Sequence, residues 1–308
     1  MKTLVISLCL LLLAACSSIK PPIEPQAKLD ADTYYNQGLK WEAMKRYDDA
    51  YTGYYNSLQA YRSIANAQGM ASSMCSMART ALVSGELDTF IPCRKDADSY
   101  IKEVEPSLGY LIVQLDVFKA QHEKDYTLVS ELARYEASYP LDVKLQLASA
   151  KLQADTHLGK GSAALASDLE KLASQYRKQL KKKAGNAELY SLALYSLAFY
   201  QYGQKNYDKT LAYLAKSNKI DYEYGNLKAL GHGLMLKGQA EMASGKPEDA
   251  LSSLRRAETI FWELIESDAI NTSKDGTPPT AEELMPLLFE SDIMRKIGYL
   301  IREIKGKP

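Results

Sequence analysis

Residues 34–54 read YYNQGLKWEAMKRYDDAYTGY, and this stretch decides the fold. Tyr34, Gly38 and Trp41 share one helical face, and Tyr47, Ala50 and Tyr54 share another. Spacings of three and four place residues on one side of an α-helix. The pattern therefore describes two helices that meet through small residues: Gly38 lets the first helix come close, and Ala50 leaves room on the second for a large side chain.

The same layout recurs downstream. Ala198, Tyr207, Thr210 and Leu214 repeat it around the text Lys205-Asn206-Tyr207-Asp208-Lys209, and Gly238, Pro247, Ala250, Leu254 and Ala257 repeat it again. Between them, weaker units align through Ala78 and Leu87, Val117 and Tyr126, and Leu152 and Ala164. The small-residue places of the first helices fall at 38, 78, 117, 152, 198 and 238, which are 35 to 46 residues apart. Breaks at Ser84-Gly85-Glu86, His122-Glu123-Lys124, Gly159-Lys160-Gly161, Gly203-Gln204-Lys205 and Ser244-Gly245-Lys246 separate the helices of each pair. Proline and glycine are otherwise sparse over residues 31–270, so helix follows helix and no sheet is expected.

This layout resembles the tetratricopeptide (TPR) repeat, whose units are about 34 residues long. The wider spacing here implies longer helices or loops, with residues 140–185 the place for an irregular helical insertion. The resemblance implies an all-α fold over residues 31–308: an α-solenoid of about six TPR-like helix pairs. A C-terminal capping helix over residues 281–304 closes the stack, since stacked units need a cap. Thr280 with Glu283 forms the capping box that starts it.

The chain begins with a different signal. Lys2, an apolar run over residues 4–13, and Ala14 and Ala15 before Cys16 have the order of a secretory signal peptide over residues 1–15. The run is shorter than the roughly 20 apolar residues that span a bilayer. Leu13-Ala14-Ala15-Cys16 resembles the lipobox of bacterial lipoproteins, which implies cleavage before Cys16 and covalent lipid on its thiol and amine. Ser17 and Ser18 lack the aspartate of the inner-membrane retention rule, so the resemblance implies the outer membrane, with the domain in the periplasm. Residues 16–30, with Pro21, Pro22 and Pro25, read as a tether. At ~3.1 Å per residue it reaches roughly 40 Å from the lipid.

Lysine plus arginine balance aspartate plus glutamate at 38 each, so no nucleic-acid partner is expected. Lys178, Lys181, Lys182 and Lys183 read as a solvated helix end. His122, His157 and His232 have no ligand or triad partner at catalytic spacing, and no phosphate loop or nucleophile elbow occurs. The expectation is a non-catalytic protein without cofactor, with His122 and His157 at turns or on the surface. Asn271, Ser273, Asp275, Gly276 and Glu282 follow the layout of a calcium loop. Asparagine at the first place and Pro278 count against it, so the segment reads as an ordinary loop. Cys75 and Cys93 remain as an even pair in an oxidising compartment. They stand almost equally far from Gly85, which favours a disulfide, while the repeat register turns Cys75 away from its partner helix.

Tyrosine is abundant, at 22 residues against five phenylalanines, more than repeat packing alone calls for. The inner face of TPR first helices lines a concave groove. Transferred here, that face holds Tyr195, Phe199 and Tyr202 in the fifth unit and His232, Met235, Gln239 and Met242 in the sixth, against Ser149, Gln153 and Thr156 in the fourth. Two functions follow from the resemblance: a scaffold that binds a periplasmic or envelope protein or peptide, or a small-molecule binder serving envelope transport.

Overall fold

The computed structural model describes residues 25–182, 184–273 and 277–306. The expected signal peptide, Cys16 and the tether up to residue 24 lie outside these residues, as do Lys183, Asp275 and Gly276. Fourteen α-helices and no strand occur among the described residues. They are α1 (Gln26–Ala43), α2 (Tyr47–Ser63), α3 (Ala67–Val83), α4 (Leu87–Val104), α5 (Tyr110–His122), α6 (Tyr126–Leu132) and α7 (Leu141–His157). The second half adds α8 (Ala163–Lys181), α9 (Ala187–Gly203), α10 (Tyr207–Glu223), α11 (Leu227–Ala243), α12 (Pro247–Thr272), α13 (Ala281–Glu290) and α14 (Asp292–Ile304). None of these helices is long and apolar enough to cross a membrane.

Through α12 the helices pack in consecutive pairs, each odd helix on the even helix that follows it. Each odd helix up to α9 also touches the next odd helix, so the odd helices form one layer and the even helices the other. The reason lies in the turns. Lys45, Gly85, Lys124, Gly159, Lys205 and Gly245 follow the odd helices α1 to α11 in turn, each with a positive φ between 58° and 86°. The next residue's N–H then reaches back to a carbonyl of the last helical turn, as Arg46 does to Trp41, Asp125 to Ala120 and Lys246 to Glu241, each at 2.9 Å. This is the Schellman closure, which satisfies carbonyls a helix end would otherwise leave bare. Asparagines start several of the helices: Asn66, Asn186, Asn206 and Asn226 each accept a backbone N–H of the first turn.

Small residues set the closeness of each pair. A Cβ on Gly38 would lie 2.7 Å from the Tyr54 ring, and one on Gly238 would lie 2.7 Å from Leu254 Cγ. Ala50, Ala198 and Ala250 have no exposed surface.

The structure departs from the sequence expectations at three places. Helix α1 already begins at Gln26, behind Pro25, which shortens the tether expected to run through residue 30. Residues 140–185 are not an irregular insertion but the regular helices α7 and α8; the irregular part lies earlier, in the short α6 and the non-helical stretch 133–140. The expected single helix over residues 281–304 is two helices. Ser291 is extended (φ −65°, ψ 113°) and its carbonyl accepts the Arg295 N–H, so a new helix starts there. Asp292 suits that start because an acidic group favours a helix N-terminus. The capping box of Thr280 and Glu283 is present as expected.

Candidate functional site

The free face of the odd layer changes character along the chain. At its N-terminal end it is charged: Glu42 of α1 accepts two hydrogen bonds from Arg79 of α3, at 2.9 and 2.8 Å, and a third from the Tyr54 hydroxyl at 2.7 Å. Burial opposes the Arg79 charge, yet the hydrogen bonds and charge of Glu42 outweigh it and hold the guanidinium more firmly protonated than usual. In the middle the contacts are neutral. Gln114 of α5 donates to Gln146 of α7 at 2.6 Å, and Gln153 of α7 donates to Ser196 of α9 at 2.7 Å. These bonds run from one odd helix to the next and fix their spacing. Ser149 and Thr156 turn their hydroxyls back onto their own helix, to the carbonyls of Leu145 and Leu152.

Beyond α7 the face becomes aromatic. Tyr195, Phe199 and Tyr202 lie half-buried on α9 and gather over Ala198, Leu214 and Leu236. Burial alone pushes the Tyr195 phenol up to about 12. The His157 ring at the end of α7 stacks on Tyr126 of α6, with centroids 4.1 Å apart and planes 14° off parallel. On its other side it meets Phe199 at 4.7 Å. Burial lowers the His157 pKa, and the charge of Lys296 lowers it further. His157 is exposed at the last position of α7, as the sequence placed it, and its ring packs between two others on this face. Its partners come from helices remote in sequence, and no local spacing reports them.

On α11 the four expected residues separate. His232 meets the Phe261 ring edge-on at 5.0 Å, and its pKa is lowered by burial first and then by Lys228 and Lys296. Gln239 and Met242 are half-buried. Met235 is core: only 7 % exposed, it packs with Leu230, Leu234 and Phe261 and with Ile297, Leu300 and Ile301 of α14. The reason is that α14 covers this end of the layer. Asp292 at its start pairs with Lys124 in the turn between α5 and α6, at 3.5 Å. Lys296 acts on both His157 and His232, and the charge of Glu303 reaches Tyr202. Both residues are exposed on α14, and they touch the face only through their charge.

The remaining candidates are dispersed. Cys75 and Cys93, the cysteines among the described residues, are not bridged. Cys75 is buried near Asp116, Arg79 and Arg94, and burial pushes its thiol up to about 12. Cys93 lies 3.5 Å from the Tyr51 hydroxyl. Asn271 belongs to the last turn of α12 and Glu282 to the first turn of α13, so regular helix occupies both ends of the calcium-loop layout around Ser273. Among the described residues no three acidic, histidine or cysteine side chains group as metal ligands. No protein-family model matches the chain, and no curated protein matches it at a significant level.

Proposed function

We propose that the chain is a non-catalytic bacterial lipoprotein of the outer membrane. In this reading six TPR-like helix pairs form a scaffold, held by lipid on Cys16, that binds an envelope protein or peptide on the free face of its odd helices. The observation that carries the scaffold reading is the sixfold turn: the same left-handed residue follows every odd helix from α1 to α11, with the same small-residue register in the first and sixth pairs. The aromatic row of His157, Phe199 and Tyr202 supports the location of the site, because binding energy concentrates in a few aromatic anchors.

The lipid anchor rests on the sequence Leu13-Ala14-Ala15-Cys16. Labelling cells with a tagged fatty acid should mark the wild-type protein and not Cys16→Ser; label on the variant would refute the anchor. The binding site is tested by capture from detergent-solubilised envelopes, with the lipid intact. Tyr202→Ala should reduce capture at least about fivefold, equivalent to ~1 kcal/mol, with little change in melting temperature. Equal capture by wild type and variant would exclude this face.

A further inference from the structure

We propose that α14 is a displaceable occupant of the odd-helix face, and that the partner recognised there presents an amphipathic helix of the same pattern. This rests on the reading of that face as the binding site. Three features of α14 point to it.

Its position is the first. Helix α14, 13 residues and about 20 Å long, pairs through Asp292 with Lys124 in the turn after α5 at 3.5 Å and packs its apolar side on Met235 of α11 and on α12, so it reaches from the third helix pair to the sixth.

Its surface is the second. Ile293, Met294, Ile297, Leu300, Ile301 and Ile304 form one apolar stripe, which packs on α11 and α12. Arg295, Lys296, Arg302 and Glu303 lie off that stripe. Apolar residues at these intervals are how a helix docks into a groove on another protein.

Its attachment is the third. The ion pair to Lys124 is exposed, with both side chains over 70 % accessible, and such pairs hold little. Of its side chains only Ile297, Leu300 and Ile301 are buried. The segment that precedes it, α13, contains Pro286 and leaves Met285 and Phe289 exposed. An element with few buried contacts opens before the rest of a fold does.

The probe is a fluorescent synthetic peptide of residues 291–306, titrated against the full-length chain. The wild-type chain should bind it weakly, because its own α14 competes at high effective concentration. A chain carrying Ile297→Asp should bind the peptide at least tenfold more tightly, and a peptide carrying Ile297→Asp should not bind that chain. If both chains bind alike, or neither binds, the proposal is overturned. Native-state hydrogen exchange on the wild-type chain decides the matter should the variant not fold: α14 amides should exchange at least tenfold faster than those of α11. Exchange of α14 only together with α11 makes it integral core and overturns the proposal. The scaffold reading fails separately, through unchanged capture by Tyr202→Ala, an outcome that leaves α14 exchange unaffected.

Discussion

Ala50 has no accessible surface, and around it stand Tyr54, Leu58 and Met77 with the rings of Tyr35, Trp41 and Tyr51. A leucine here has nowhere to go without moving a ring or parting α1 from α2. Ala50→Leu should therefore cost about 1–3 kcal/mol, read as a fall in melting temperature, and an unchanged melt would mean that the packing of the first pair is not set by this residue. Gly38, Ala50, Ala198 and Gly238 were legible in the sequence because close approach of two successive helices demands a small residue at a fixed place in each. The exposed place of His157 at a helix end was legible, but its ring contacts were not, since Tyr126 and Phe199 reach it from α6 and α9. Met235 was legible only as an apolar residue on the odd-helix face; whether such a face meets solvent or another helix depends on where α14 lies.

The turn after each odd helix is the element that repeats, and five of these six turns carry a turn signal in the sequence; Ala65 and Gly225 close the even helices α2 and α10 in the same way. Glycine holds the left-handed position at 85, 159 and 245, where it adopts positive φ without steric cost. Lysine holds it at 45, 124 and 205, each at φ 58°. A side chain there crowds its own carbonyl, so Lys205→Gly should relieve strain, in part offset by the greater freedom of glycine in the unfolded chain. The expected net gain is about 0.5–1 kcal/mol, or roughly 1–3 °C in Tm. A drop in Tm would show that the Lys205 side chain, and not the backbone alone, stabilises this turn. The break at Ser291 was missed for a related reason: a serine before an acidic residue suits a helix start as well as a surface position, and periodicity continues across it.

At the scale of the molecule, a helical stack is held by contacts between neighbours, so its ends are free to move through the sum of many small rotations. Two ion pairs cut across that order. Lys45, in the turn between α1 and α2, meets Asp268 near the end of α12 at 2.5 Å, and Lys124 meets Asp292 of α14. Both lysines are left-handed turn residues, so strained positions at the edge of the stack are also those that reach the C-terminal segment. The Lys45–Asp268 contact joins the first pair to the last and limits how far the stack can open. All four side chains are substantially exposed, which makes these links weak in stability and sensitive to salt. Asp268→Asn combined with Asp292→Asn should leave Tm almost unchanged while increasing the radius of gyration measured by small-angle X-ray scattering at about 10 mM salt, where screening extends over roughly 30 Å. Raising salt to about 1 M should expand the wild type to the same size and leave the variant as it was. If wild type and double variant have one radius of gyration at low salt, helix packing alone sets the curvature, and the two ion pairs are incidental to the shape.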